Sequence, residues 1–161
     1  MTTSNGLPGC EIWFTRHGHP APTPLDLQWP QACAELGVAA LTPWSLQALS
    51  DPVARITTEL VANAVQHGPA GHPAQMSLTR PPGIHTAVRI AVTNTPRWQR
   101  PDGPAGHASG GLAVVDRLAT SWKIAPGLAS TTVWCLIDLR TTQKDPSTST
   151  HLAPDVPELP R

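Results

Sequence analysis

The feature that most constrains the fold is an amphipathic helix predicted over residues 51–67. Apolar side chains recur there at intervals of three and four residues, which is the spacing of one buried helical stripe: Val53, Ile56, Leu60, Val61, Ala64 and Val65. Ser50 or Asp51 is expected to cap the start of the helix, and Gly68 is expected to end it. The chain therefore contains a helix that buries one face in a core.

The segments around this helix predict a sheet built of hairpins. Further helices are expected over residues 29–40 and 111–120. Strands are expected over residues 10–15, 75–80, 84–95, 121–125 and 131–139. The Pro81-Pro82-Gly83 run predicts the turn between the second and third strands. This order favours an α+β fold, a two-layer sandwich with helices on one face of a mixed, mostly antiparallel sheet.

The length of 161 residues predicts one domain. Residues 1–9 are expected to be a flexible leader, and residues 10–139 the folded domain. Residues 140–161 are rich in Thr, Ser and Pro and are expected to be a disordered tail.

The composition argues against several classes of partner. Eleven basic and eleven acidic residues give a formal net charge of zero, so the chain offers no electrostatic basis for binding nucleic acid or an anionic membrane. No apolar run reaches the roughly 18 residues of a membrane span. The three cysteines, Cys10, Cys33 and Cys135, are too few and too widely spaced for a disulfide framework or a zinc site. They are expected to be reduced thiols in a cytoplasmic protein.

The polar side of the 51–67 helix carries an unusual set of side chains. Glu59, Asn63 and His67 follow one another at intervals of four residues, so all three are expected on one face. A carboxylate can take a proton from a nucleophile, and an amide oxygen can bind Mg²⁺. The alternative is an ordinary solvated helix face.

A glycine-bearing loop precedes the predicted helix at 111–120. It contains Gly103, Gly106, Gly110 and Gly111, followed by Leu112. Glycine lets a backbone approach a ligand closely, and a helix N-terminus offers free N–H groups to phosphate. Such a loop by itself is weak evidence for a phosphate site.

The order of these pieces resembles the Bergerat-fold ATP-binding superfamily of gyrase, chaperone, histidine-kinase and MutL domains. Residues 59–68 (ELVANAVQHG) are similar to its N-box helix, and residues 110–116 (GGLAVVD) to its phosphate-side glycine box. The strand that ends at Asn94 and the 131–134 segment (TTVW) also match in order. The resemblance covers residues 44–139. The short single-domain form is similar to the bacterial anti-sigma-factor serine/threonine kinases.

This resemblance implies a set of roles. Glu59 would be the general base that activates a protein serine hydroxyl or a water, and Asn63 would bind Mg²⁺ at the phosphates. The residues implied to bind ATP are Asn63, Asn94, Gly106, Gly110, Gly111, Leu112 and Thr132. Of these, Thr132 would hold the adenine edge. The implied partner is a regulatory protein, either an anti-sigma antagonist or a sigma factor, and the family allows a homodimer.

The sequence departs from the family at the adenine-reading position. The family has an aspartate where this chain has Asn94, and Thr95-Pro96-Arg97 replaces the glycines that usually follow. An amide keeps one acceptor oxygen but lacks the charge and adds two donors. A degenerate module that binds a partner without nucleotide is therefore the second hypothesis.

A rival interpretation starts from the Arg16-His17-Gly18 motif, which resembles the start of the histidine phosphatases. His17 would be the nucleophile and Arg16 a phosphate clamp. His67-Gly68 would supply the second His-Gly pair. The context disfavours this interpretation, because His67 is expected to end a helix. The remaining histidines are scattered and do not predict a metal site.

Overall fold

The structure is a computed structural model and describes residues 9–95 and 111–142. Every predicted helix and strand is present, with bounds that differ from the prediction by a few residues. In chain order the predicted elements are β1 (Cys10–Thr15), α1 (Trp29–Ala39), α2 (Ser50–His67), β2 (Pro73–Thr79), β3 (Ala87–Asn94), α3 (Gly111–Leu118), β4 (Ser121–Pro126) and β5 (Thr131–Asp138). A short helix that was not predicted, α4 (Leu139–Thr142), follows β5.

The five strands form one sheet in the order β1-β2-β3-β5-β4. The predicted fold class is confirmed. All four pairings among these strands are antiparallel, where the sequence predicted a mixed, mostly antiparallel sheet. The predicted turn between β2 and β3 is also present: the Ile84 N–H donates to the Pro81 carbonyl at 3.2 Å, and Gly83 has a positive φ of 74°. Glycine tolerates this left-handed conformation because it has no Cβ.

The helices lie on one face of the sheet, with α2 in the centre. Helix α2 packs against α1, α3 and the central strand β3. All six residues of its predicted apolar stripe are buried. They meet the inward-facing residues of the sheet, which include Met76, Leu78, Val88, Ile90 and Ile137. Each large apolar side chain buried in this way contributes about 1.5–3 kcal/mol relative to exposure.

The predicted cap at the start of α2 is wrong. A 3₁₀ turn over Gln47–Leu49 runs directly into the helix, and Ser50 already has helical angles (φ −57°, ψ −47°). Leu49 therefore occupies the capping position, and no side chain caps the helix there. The predicted end is confirmed, because Gly68 leaves the helix with an extended backbone (φ −70°, ψ 150°).

The other face of the sheet is more polar. Trp13 on the edge strand β1 is 61% exposed. The Arg89 guanidinium lies 5.2 Å from the centre of the Trp134 ring, a cation–π contact between neighbouring strands. The helices therefore cover only one face of the sheet.

The three cysteines are free thiols. Burial raises the pKa of Cys33 to about 11 and that of Cys135 to about 12. Cys10 is half-buried, and burial raises the pKa of its thiol as well. Cys33 and Cys135 belong to the apolar core.

Both predicted flexible ends lie almost wholly outside the described residues. At the C-terminal side, the short helix α4 crosses the predicted domain boundary at residue 139. Leu139 packs against the core, and its N–H donates to the Thr86 carbonyl at 2.9 Å. Within residues 9–95 and 111–142, no helix has both the length and the apolar character needed to cross a bilayer.

Candidate functional site

Helix α2 carries the first part of the candidate site on its polar face. Glu59, Asn63 and His67 share this face, and successive members are about 6 Å apart along the axis. Glu59 and Asn63 are half-buried, whereas His67 is the exposed last residue of the helix. The prediction that the three lie together on α2 agrees with this geometry.

Glu59 borders an open pocket of about 240 Å³ between α2 and α3. The other residues that line it are Ala54, Arg55, Thr58 and Val114. Val114 lies in the first turn of α3, which begins at Gly111. The carboxylate that was predicted to be the general base therefore lies beside free space near the start of α3.

The glycine loop is described only at its end. Gly106 and Gly110 lie outside the described residues, and Gly111 is the first residue of α3. Leu112 packs against the apolar core, so its side chain stabilises α3 on the domain.

The C-terminal end of α2 meets the end of β3. The Gly68 N–H donates to the Ala64 carbonyl at 2.9 Å. A Cβ on Gly68 would collide with the same carbonyl oxygen and would lie 3.9 Å from Cγ of Asn94. Only glycine at residue 68 allows the backbone to approach the Ala64 carbonyl this closely. The same residue lies near Asn94.

Asn94 is the last residue of β3 and carries an unusual acceptor. Side chains alternate along a strand, so Asn94 is on the same face as the buried Val92 and Ile90, toward the helices. Its Oδ1 is buried, and no described residue donates a hydrogen bond to it. An orphan acceptor of this kind costs about 1–3 kcal/mol. A ligand that brings a donor would recover this free energy.

The structure places the predicted threonine, Thr132, on the opposite face of the sheet from Asn94. Thr132 pairs with Thr93 on the sheet face away from the helices, and their hydroxyls are 2.8 Å apart. Thr131 instead lies opposite Asn94 in the register and is 5% exposed. Because paired antiparallel residues point to the same side, Thr131 shares the helix-facing side with Asn94. Strand alternation reverses the face with each residue, so the two adjacent threonines lie on opposite faces of the sheet.

A buried arginine closes the end of α2, and the sequence analysis missed this role. The Arg16 guanidinium donates to the carbonyls of Gln66 at 3.3 Å and Gly68 at 2.8 Å. It also donates to the carbonyls of Gly18, at 2.9 Å, and Pro20. The Gly71 N–H in turn donates to the Arg16 carbonyl at 2.8 Å. Arg16 therefore ties the loop after β1 to the helix end beside Asn94.

A buried carboxylate holds the other side of the same loop. Asp26 accepts the N–H groups of His17 and Gly18, each at 2.9 Å, and that of Thr23 at 2.7 Å. The hydrogen bond from the His17 N–H is the largest cause that holds the pKa of Asp26 well below its ordinary value. The Asp26 N–H donates to the Thr23 hydroxyl at 3.2 Å, which completes a reciprocal capping box. The spacing of Thr23 and Asp26 in the sequence is itself the pattern of a capping box.

This network contradicts the histidine phosphatase interpretation. Arg16 is 8% exposed and its donors are bound to backbone carbonyls, so the guanidinium cannot clamp a phosphate. His17 is directed toward Asp26, with 3.4 Å between its Nδ1 and Oδ1 of the carboxylate. In the described part of the chain, no group of three or more His, Cys, Asp or Glu side chains could hold a metal ion.

Comparison with known proteins adds to this geometry at the level of the fold. No family model matches the chain, and no curated protein matches it. The fold is similar to the crystal structure of the RsbU and RsbW domains of Rv1364c from Mycobacterium tuberculosis, with a TM-score of 0.54 and 17% sequence identity. The match covers 82% of this chain and 32% of that one, so the chain corresponds to about a third of that structure's length. The likeness establishes a shared two-layer sandwich fold.

Proposed function

We propose that this protein is an ATP-binding regulator of the anti-sigma-factor kinase type, which transfers phosphate to a serine or threonine of a partner protein. The observation that carries the proposal is the arrangement along α2. Glu59 and Asn63 share one face of the helix, and its end at Gly68 lies beside the orphan Oδ1 of Asn94. One helix thus joins a position for a base to a position for a metal and phosphates.

At the base end, Asn94 supplies the hydrogen-bond acceptor. Its buried Oδ1 would take a donor from the exocyclic amine of adenine, which relieves the cost of the unpaired oxygen. Thr131 lies on the same side of the sheet and replaces Thr132 as the threonine of this site. A side chain at Gly68 would collide with the Ala64 carbonyl and shift the helix end near Asn94.

At the phosphate end, Asn63 and Glu59 have separate roles. The amide oxygen of Asn63 is a suitable ligand for Mg²⁺, which prefers oxygen donors. Mg·ATP supplies the phosphoryl group that is transferred. Glu59 would accept the proton of the attacking hydroxyl, and the open pocket beside it offers the acceptor side chain an approach. Catalysis of this kind depends mainly on positioning and charge neutralisation.

The partner follows from the class of protein. The similarity to a structure that contains an RsbW domain suggests a regulatory role, in agreement with the sequence resemblance to anti-sigma-factor kinases. The partner would then be a regulatory protein that presents a hydroxyl to Glu59. An anti-sigma antagonist or a sigma factor fits this description.

Asn94 itself favours a second candidate function. A neutral amide forms a weaker hydrogen bond than the carboxylate of the family, by a factor of about two. A domain that kept the fold and the partner surface but bound ATP weakly would have this substitution. The second candidate is therefore a partner-binding module without phosphoryl transfer.

Calorimetric titration with Mg·ATP tests the proposal. Saturable binding of one nucleotide per chain is expected, and no heat up to millimolar ATP would favour the partner-binding module. Because general-base catalysis is worth about 10²–10⁴-fold, Glu59→Gln should reduce ADP formation by that factor while ATP still binds. Glu35→Gln, the same chemical change on the exposed face of α1, should leave the rate unchanged. Equal rates for Glu59→Gln and the wild type would remove Glu59 from the mechanism.

A further inference from the structure

The feature that carries a further inference is the unbound amide oxygen of Asn94. Oδ1 is buried at the end of β3, and no described residue donates to it. A hydrogen bond to either amide atom normally fixes which way an asparagine side chain faces. In the described structure no donor holds Oδ1 in its place, so no hydrogen bond to the oxygen fixes which way the amide faces.

The surroundings of this amide are fixed, in contrast to the amide itself. Gly68 lies against Asn94, and the Gly68 carbonyl is bound to the buried guanidinium of Arg16 at 2.8 Å. The backbone of β3 is held in register between β2 and β5, with Ala74 and Thr131 opposite residue 94. The backbone that carries the amide is therefore held in place on both sides.

The chemistry of purines makes this freedom consequential. Adenine presents an amine donor at position 6 and an acceptor at N1, whereas hypoxanthine and guanine present a carbonyl at position 6 and a donor at N1. An amide has one donor group and one acceptor group, so a half turn matches it to either pattern. An ionised carboxylate only accepts, and it would repel a 6-oxo group.

We propose that Asn94 makes the base site ambivalent, so that this protein binds 6-oxo purine nucleotides as well as adenine nucleotides. The inference rests on the proposed nucleotide site and names its substrate class. Thr131 does not oppose it, because a hydroxyl can both donate and accept. The consequence is a regulator whose occupancy follows the total purine nucleoside triphosphate pool.

The test compares ATP with inosine triphosphate, since the two differ at position 6 and in the N1 proton. Dissociation constants for both Mg-nucleotides are measured by calorimetry. For the wild type, the two constants are expected to agree within about threefold, because the flipped amide forms the same number of hydrogen bonds. For Asn94→Asp, we expect at least about tenfold preference for ATP, since a charge-assisted bond to the amine replaces the flip.

Thr93→Val is the matched control. Thr93 neighbours Asn94 on the same strand, but its hydroxyl pairs with Thr132 on the opposite face of the sheet. Its ratio of dissociation constants should equal that of the wild type. If it shifts as far as that of Asn94→Asp, the preference reflects the strand end rather than the amide, and the inference fails.

Two other outcomes separate the inference from the function on which it rests. If the wild type binds ATP but rejects inosine triphosphate by more than about tenfold, the ambivalent base site is overturned and the ATP site stands. If the wild type binds neither nucleotide, the proposed function fails and the inference falls with it. The wild-type ratio alone decides between these outcomes, so a variant that fails to fold does not spoil the test.

Discussion

The C-terminal end and the middle of helix α2 differ in how they are held. At the C-terminal end, a buried guanidinium binds the carbonyls of Gln66 and Gly68, and Asn94 lies near Gly68. Toward the middle of the helix, Glu59 borders an open pocket, and its neighbour Arg55 has a single loose ion pair with Asp51 at 3.8 Å. The contrast indicates a rigid end suited to shape recognition and an open stretch suited to chemistry on a second molecule.

Removal of the guanidinium should have the largest effect on this contrast. Arg16→Leu leaves several buried carbonyls without a donor, at about 1–3 kcal/mol each, so the free energy of unfolding should fall by about 3 kcal/mol or more. Urea denaturation measures this loss. Arg55→Leu on the exposed side of α2 is the control, with a change of about 0.5 kcal/mol or less. Similar losses in both variants would mean that the two regions are held alike.

A methyl group at the rigid end should have the next largest effect. In Gly68→Ala, the new Cβ collides with the Ala64 carbonyl, so the helix end must shift, at a cost of about 1–3 kcal/mol. The affinity for ATP should fall as well, because the shift displaces Asn94. Gly71→Ala is the control: Gly71 has a φ of 76°, and no atom lies within 4 Å of the position that a new Cβ would take. It should lose about 1 kcal/mol of stability with unchanged ATP affinity. Unchanged affinity in Gly68→Ala would separate the helix end from the base site.

Sequence reasoning succeeded where the signal was periodic. The α2 stripe, from Val53 to Val65, alternates with polar residues at the helical period, and it fixed the fold class together with the hairpin strands. The shared face of Glu59 and Asn63 followed from the same period. These features depend on local spacing, which the sequence states directly.

The features that sequence reasoning did not predict depend on contacts between distant segments of the chain. Arg16 donates to carbonyls that lie about fifty residues further along the chain, and the residues next to Arg16 in the sequence do not predict these bonds. Thr131 and Thr132 are adjacent in the sequence, and only the pairing with Asn94 shows which face each occupies. The Thr23–Asp26 capping box could have been predicted from its spacing. The hydrogen bonds from His17 and Gly18 to Asp26 could be found only in the folded structure.

The dependence of stability on acid pH tests the loop after β1, which Arg16 ties to the C-terminal end of α2. The pKa of Asp26 is lower in the folded state than its ordinary value of about 3.9, so its stabilisation is full above that pH and is lost as the pH falls. Asp26→Asn should lower Tm by several degrees at neutral pH. The difference from the wild type should shrink as the pH falls below about 4. Thermal unfolding followed by circular dichroism measures this, and a difference independent of pH would contradict the role of the charge.

The affinity of Asn63→Ala for ATP, measured with magnesium and again with EDTA, tests the division of α2 most directly. If Asn63 holds the metal in the open stretch while the rigid end reads the base, the substitution should weaken binding strongly in magnesium and little in EDTA. Gln66→Ala removes the same type of amide from an exposed position on α2 and should change neither value. Equal losses for Asn63→Ala in the two buffers would contradict the account, because the amide would then act without the metal.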